Sequence, residues 1–168
     1  MNHPITLVLD NLRSAQNVGS ILRTADAAGV KVVTCGYTPH PITQNDSRPP
    51  HIAASNTKAI AKTALGAENT AFDQHFSDVQ DAISYLRHKN FTIVALEQHE
   101  SSKNVFTYQV TCPLGIVLGN EVTGVPPVTL SICDNILELP MIGSKESLNV
   151  SVAAGIAVYQ LRFGQHHL

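Results

Sequence analysis

Five short apolar runs, separated by segments with helical periodicity, constrain the fold of this chain more than any other feature. They are rich in β-branched residues and predict strands at Ile5–Leu9, Lys31–Cys35, Phe91–Leu96, Gly115–Leu118 and Asn135–Leu139. Several are apolar at nearly every position, which is typical of strands that are buried on both faces of a sheet. Because helical patterns lie between most of them, the sequence predicts an α/β domain with a parallel sheet.

Apolar residues recur at helical spacing in three segments between or after these strands. The predicted helices are Asn17–Ala28, Asp78–Lys89 and Asn149–Phe163. A weaker pattern predicts a helix over Asn56–Leu65, and the Pro-, His- and Asn-rich stretch Tyr37–Ser55 predicts a long loop. Ser77 with Gln80 forms a candidate capping box for the second helix.

Length and composition limit the class of protein. A chain of 168 residues fits one domain with its own core, so we expect a single domain over residues 1–168. The formal net charge of −2 gives no global basic field, although it allows a local basic patch. No cysteine or histidine pair has the spacing of a metal site. The sequence shows neither a signal peptide nor an apolar run of about 20 residues, so we expect a cytoplasmic protein without a membrane partner.

Three segments mix glycine with polar residues where strands end or helices begin, and ligands of parallel sheets usually bind there. The segments are NLRSAQNVGSILRTADAAGV (Asn11–Val30), GIVLGNEVTGV (Gly115–Val125) and PMIGSKESLNVSVAAGIAVYQL (Pro140–Leu161). The second segment is not a phosphate loop, because it lacks the lysine and the hydroxyl of GxxxxGK[ST]. Each segment taken alone is also compatible with a purely structural role.

Individual residues in these segments leave two interpretations open. Asn17, Ser20 and Arg23 step by three along the first helix, opposite its apolar stripe. Arg23 can be a solvated side chain, or it can bind a phosphate through its planar guanidinium. Either Ser147 or Asn149 can cap the last helix, which leaves the other side chain for a ligand. The residues alone therefore predict an α/β domain with a small-molecule site of undetermined chemistry.

In their order and spacing, the three segments together resemble the three motifs of the SpoU/TrmH family of the SPOUT methyltransferase superfamily. The matching stretches are NVGSILRTADAAGV, IVLGNEVTGV and LELPMIGSKESLNVSVAAGIAVYQL. The resemblance extends from Ile5 to Leu161 and implies a SPOUT fold with a C-terminal trefoil knot. It implies that S-adenosylmethionine, without a metal, methylates a ribose 2′-hydroxyl in tRNA or rRNA. It also implies a homodimer of single catalytic domains, with RNA rather than DNA as the partner and no separate RNA-binding domain.

The resemblance also assigns roles to particular residues. Those implied to be catalytic are Arg23, Asn17, Ser20, Glu121, Ser147 and Asn149, and those implied to bind the cofactor are Leu96, Gly119, Leu139, Met141 and Leu148. Because an arginine stays protonated, Arg23 is expected to bind a substrate phosphate and orient the hydroxyl rather than act alone as a base. Glu121 is expected to hold either Arg23 or Asn17.

Two other functions compete with this interpretation. A nucleotide-dependent α/β enzyme would need a phosphate-binding glycine loop after its first strand, but LVLDNLRSAQNVG contains a single glycine. A protein that keeps the fold and binds RNA without catalysis is the second alternative, and the intact Arg23, Glu121 and Asn149 disfavour it.

Overall fold

The computed structural model describes residues 3–164, in which strands and helices alternate. The strands are β1 (Ile5–Asp10), β2 (Lys31–Cys35), β3 (Phe72–Phe76), β4 (Thr92–Leu96), β5 (Lys103–Asn104), β6 (Leu114–Leu118) and β7 (Asn135–Glu138). The helices are α1 (Ala15–Ala28), α2 (Pro50–Ala64), α3 (Val79–His88), α4 (Pro127–Ile132) and α5 (Val150–Phe163), with a 3-10 helix at Ala67–Asn69.

The described strands form one parallel sheet in the order β3-β2-β1-β6-β4-β7-β5. The predicted α/β fold with a parallel sheet is confirmed, whereas the C-terminal knot stays a prediction. Insertion of β6 between β1 and β4 places the carboxyl ends of β6, β4 and β7 side by side. That edge of the sheet receives the second and third polar segments.

Alternate residues of β1 face opposite sides of the sheet and enter two separate hydrophobic clusters. Leu7 and Leu9 belong to the cluster that includes buried residues of α1, α2 and α5. Val8 belongs to the cluster on the other face, which includes the buried residues of α3. Because every residue of β1 is buried, its run of apolar side chains is explained by helices covering both faces.

Helix α1 is fixed at both ends and along one side. The Ser14 hydroxyl accepts a hydrogen bond from the backbone N–H of Asn17 at 3.2 Å, and Gly29 ends the helix at a φ of 64°. A Cβ at Gly19 would lie 2.4 Å from the Ile60 carbonyl oxygen, so glycine lets α1 pack directly on the backbone of α2. The position of α1 therefore depends on contacts that a larger residue would block.

Some predicted boundaries are wrong. Helix α2 begins at Pro50, so the last part of the predicted loop Tyr37–Ser55 is helical, and proline suits a first turn because its missing N–H needs no partner there. The cap of α3 is Asp78, whose carboxylate accepts from the Gln80 N–H at 2.7 Å, and not Ser77.

The sequence patterns also missed strands β3 and β5. The β3 sequence FDQHF alternates weakly because β3 is the half-buried edge strand of the sheet. Strand β5 at the opposite edge has only 2 residues, too few for any periodicity.

Candidate active site

An open cleft of about 1010 Å³ lies beyond the carboxyl ends of β4, β6 and β7. Leu96 ends β4 and residues 97–98 follow it, Leu118 ends β6 and residues 119–125 follow it, and Leu139 and Met141 follow β7. The start of α5 closes the remaining side. Parallel strands end at the same edge of a sheet, which is why segments so distant in sequence share this cleft.

The cleft brings together most of the residues that the sequence singled out. The predicted cofactor-binding residues all line it, namely Leu96, Gly119, Leu139, Met141 and Leu148. Of the predicted catalytic residues it contains Asn17, Glu121, Ser147 and Asn149. Ser20 and Arg23 do not line it.

Glycine is required on both sides of the turn that follows β6. A Cβ at Gly119 would lie 2.4 Å from both the Gly124 carbonyl oxygen and the Val125 nitrogen. Gly124 has a φ of 69°, a conformation that favours glycine, and it exchanges backbone hydrogen bonds with Asn120 at 2.9 and 3.1 Å. The turn is therefore compact, and at Gly119 no side chain separates the backbone from the cleft.

Glu121 ties this turn to the start of α1. Its carboxylate accepts hydrogen bonds from the backbone N–H of Arg13 at 2.8 Å and of Ser14 at 3.1 Å, and from the Asn17 side-chain amide at 2.9 Å. Partial burial raises the pKa of Glu121, but the hydrogen bonds from Arg13, Asn17 and Ser14 outweigh it, so the pKa lies below its usual value. The carboxylate is therefore ionised at neutral pH.

The same hydrogen-bond network extends to α5 and includes the residue that caps this helix. Asn149 is the cap, because its side-chain oxygen accepts from the Ser151 N–H at 2.9 Å. Its amide nitrogen donates to the Asn17 side-chain oxygen at 3.2 Å. Ser147 is exposed in the wall of the cleft. Hydrogen bonds thus join Glu121, Asn17 and Asn149, one residue from each of the three polar segments.

Arg23 stands apart from this network. It is exposed, and at 1.5 Å per residue it lies about 9 Å along α1 from Asn17. Among residues 3–164 the ion pairs between acidic and basic side chains are Arg48–Asp46 and Arg87–Asp134, so Glu121 holds Asn17 and not Arg23. Ser20 lies between them on the same helix, half-buried.

Two residues of the cleft escaped the sequence analysis. Glu97 directly follows β4, and its carboxylate accepts from the Val125 N–H at 2.9 Å, which anchors the turn after β6. Asn120 is buried and donates to the Asn11 carbonyl and to the Tyr37 hydroxyl, each at 2.8 Å. A carboxylate immediately after a buried strand was the signal for Glu97, whereas nothing local marked the partners of Asn120.

The electrostatics of the cleft are one-sided. Glu97, Glu121 and Glu146 line it, and none of its lining residues in the described part of the chain is lysine, arginine or histidine. Leucine and methionine side chains supply apolar surface beside these carboxylates. Such a cleft suits a ligand with positive charge and an apolar or aromatic part.

Residues 3–164 show neither a candidate metal centre nor a helix that could span a membrane. That stretch contains no cluster of three or more histidine, cysteine, aspartate or glutamate side chains that could hold a metal ion. None of its helices has the length and apolar character needed to cross a membrane.

Comparison with known proteins gives consistent matches. Residues 4–159 match the profile of the SpoU rRNA Methylase family. The chain is 31% identical over 157 residues to the 23S rRNA (guanosine-2′-O-)-methyltransferase RlmB of Vibrio vulnificus, which covers 94% of this chain and 58% of RlmB. It thus spans less than two thirds of that relative's length.

Solved structures match the same part of the chain. The SpoU methyltransferase AviRb from Streptomyces viridochromogenes, in complex with AdoMet, superposes with a TM-score of 0.77 at 22% identity over 95% of this chain and 57% of AviRb. The A. aeolicus TrmH/SpoU tRNA modifying enzyme superposes with a TM-score of 0.69 at 28% identity, over 96% of this chain and 74% of the enzyme.

Proposed function

The chain belongs to the SpoU rRNA methylase family, and from that premise we propose that it transfers the methyl group of S-adenosylmethionine to a ribose 2′-hydroxyl in tRNA or rRNA. The observation that carries the proposal is the hydrogen-bonded series Glu121–Asn17–Asn149 at the edge of an acidic cleft. We propose that residues 4–159, which match the family profile, act as a catalytic domain. A cytoplasmic location stays a prediction.

The lining of the cleft fits the proposed cofactor. S-adenosylmethionine carries a cationic sulfonium and an ammonium group, and Glu97, Glu121 and Glu146 provide a negative potential for them. Leu96, Leu139 and Met141 supply apolar surface for the adenine ring, and the Gly119 turn lets backbone approach it closely. When bound, the cofactor supplies an electrophilic methyl group.

Protein groups must position the ribose and its proton. Glu121 already accepts three N–H donors, so its role is to hold Asn17 and the start of α1 rather than to remove a proton. Arg23 stays protonated and is proposed to bind a phosphate of the RNA and align the 2′-hydroxyl. The hydroxyl proton then passes to that phosphate or to water. Asn17 and Asn149 would contact the ribose edge.

An acidic cleft repels an RNA phosphate, and Arg23 of the same chain does not line it. We propose that the enzyme is a homodimer in which Arg23 of one copy serves the cleft of the other. Exposed apolar side chains recur along α5 at Val152, Ile156, Tyr159 and Phe163, at i, i+4, i+7 and i+11. This spacing places them on one helix face, and such an exposed apolar face supports pairing with a second copy.

Cofactor binding and methyl transfer test the activity separately. Calorimetry with S-adenosylmethionine is expected to show binding. For methyl transfer, tRNA or rRNA from a strain that lacks the gene is incubated with the protein and S-adenosylmethionine. Mass spectrometry of nuclease digests of this RNA is then expected to show new 2′-O-methylnucleosides. Cofactor binding without methylation of either RNA would contradict the activity. RNA binding without cofactor binding would instead favour the fold-retaining RNA-binding protein.

A mixture of two variants tests whether Arg23 acts across the dimer. Arg23→Ala keeps an intact cleft, and Leu148→Trp fills the cleft with a larger ring at an exposed position but keeps Arg23. Each variant alone is expected to be inactive. Mixed dimers are expected to regain activity, because one cleft is intact and the other copy supplies Arg23. Activity that never returns in the mixture would show that Arg23 does not act in trans.

A further inference from the structure

A second cleft, of about 890 Å³, lies along the edge strand β3 beneath residues 37–48, and we call it the histidine cleft. His40 and His75 stack at its base, with ring centroids 3.8 Å apart and planes inclined by 18°. Tyr37, Ile42 and Ile52 are exposed around it. Neither the three sequence motifs nor the proposed cofactor site accounts for this arrangement.

The histidine cleft offers no free cation among its described lining residues, and Asp73 adds a carboxylate to it. Burial lowers the pKa of His40, and burial together with the nearby His40 and Arg48 lowers the pKa of His75 to about 4, so both rings are neutral at pH 7. The guanidinium of Arg48 donates to the Asp46 carboxylate and to the backbone carbonyls of His40 and Pro41. Among the described residues that line the cleft, Arg48 is the only lysine or arginine. No cation is therefore available there to bind a phosphate.

Hydrogen-bonding groups in this cleft are nevertheless available. Asn56 and Gln74 are half-buried and line it, yet neither side-chain amide makes a hydrogen bond within residues 3–164. Side-chain amides offer both a donor and an acceptor, the combination that pairs with the edge of a nucleobase. A cleft with free amides, the carboxylate of Asp73 and no free cation therefore suits a neutral heterocycle better than a phosphate.

Tyr37 supplies a rigid aromatic surface between the two clefts. It is 64% exposed, yet its backbone N–H donates to the Asn11 side chain at 3.1 Å and its hydroxyl accepts from Asn120 at 2.8 Å. Asn120 lines the cofactor cleft, whereas Tyr37 lines the histidine cleft. An exposed ring that is held in place at both ends loses little entropy when a base stacks on it.

Building on the proposed function, we propose that the histidine cleft binds an unpaired nucleobase of the RNA, close in sequence to the methylated ribose. Tyr37 provides the stacking surface, and Asn56 and Gln74 bind the edge of the base. Strand β3 lies three strands from β6 in the sheet, roughly 14 Å away. An RNA strand that crosses the carboxyl edge of the sheet therefore reaches both clefts, and the second cleft contributes to the choice of target.

Nuclear magnetic resonance of the full chain tests this site without relying on catalysis. The probes are the four ribonucleoside 5′-monophosphates, added with S-adenosylhomocysteine in excess so that the cofactor cleft is blocked. Ribose 5-phosphate is the matched probe without a base. We expect at least one nucleotide to shift the ring signals of His75 and Tyr37 in a saturable way, and ribose 5-phosphate to leave them unchanged.

Variants separate stacking from a general disturbance. Tyr37→Ala is expected to weaken nucleotide binding about five- to a hundredfold, the range of one lost base stack. Tyr37→Phe keeps the ring but loses its hydrogen bond to Asn120, so it is expected to bind more weakly than the wild type and more tightly than Tyr37→Ala. Phe106→Ala removes an aromatic side chain that is 50% exposed but lies outside the histidine cleft, and is expected to have no effect.

Three results would overturn the inference: no nucleotide shifts these signals, ribose 5-phosphate shifts them equally, or Tyr37→Ala binds like the wild type. A failure of the proposed function has a different signature, since calorimetry would then show no S-adenosylmethionine binding. If the inference is correct and RNA is methylated, Gln74→Ala is expected to raise KM for RNA and leave cofactor affinity unchanged.

Discussion

Replacing Glu121 with glutamine removes a charge but almost no volume, so it isolates the carboxylate that joins the turn after β6 to α1. One oxygen of Glu121 accepts from both Ser14 and Asn17, and the other accepts from Arg13. A glutamine has a single acceptor oxygen, so its NH₂ group must face at least one of these donors. The variant therefore loses one or two charge-assisted hydrogen bonds.

The expected loss in the free energy of unfolding is about 1 to 2 kcal/mol at pH 7. A hydrogen bond to a charged group contributes about 1.5 to 3 kcal/mol, and exposure of Glu121 to solvent reduces that figure. The direction in which the stabilisation by Glu121 changes with pH follows from the lowered pKa of this residue in the folded protein. Its contribution is complete above the ordinary glutamate value of 4.5 and disappears as the pH falls through the folded pKa.

Urea unfolding of the wild type and of Glu121→Gln, followed by circular dichroism at several pH values from 7 down to about 3, measures this difference. Glu100→Gln is the matched control, because Glu100 is exposed and its side chain makes no hydrogen bond or ion pair within residues 3–164. We expect the control to change stability by less than about 0.5 kcal/mol. A Glu121→Gln penalty that stays constant down to pH 3, or that is absent at pH 7, would refute the assigned role of the carboxylate.

Three further outcomes are expected. Arg23→Ala should keep its affinity for S-adenosylmethionine by calorimetry but slow methyl transfer about a thousandfold, or ~4 kcal/mol, and near-normal turnover would contradict its role. Gly119→Ala should lower the melting temperature and weaken cofactor binding because its Cβ meets backbone at 2.4 Å, whereas Gly143→Ala, with nothing within 4 Å, should do neither. Ile156→Glu should convert a dimer into monomers in sedimentation velocity, and a wild type that is already monomeric would exclude the proposed dimer.

Parts of the site could be predicted because they follow from local patterns. Glycine and polar residues after β6, and polar residues before α5, marked positions at the carboxyl edge of a parallel sheet. The family resemblance then assigned roles, and the structure places Gly119 and Asn149 on one cleft. Local sequence could not choose between Ser147 and Asn149 as the cap, because both residue types bond equally well to a helix start.

Other features depended on neighbours far along the chain. The Tyr37–Asn120 hydrogen bond joins residues 83 positions apart, and no spacing in either segment indicates it. The edge strand β3 was missed because it is buried on neither face completely, which weakens the apolar pattern that marks a strand.

The sequence by itself determined the kinds of elements in this protein, since apolar periodicity of 2 or 3.6 residues is a local property that burial on a sheet or helix face imposes. Tertiary structure alone decided that β6 lies between β1 and β4, that Glu121 holds Asn17, and that Arg23 lies outside the cleft of its own chain. These outcomes depend on which faces pack together and which donors then lie within about 3 Å of an acceptor. Such distances are set by the packing of the whole chain, and no stretch of the sequence encodes them separately.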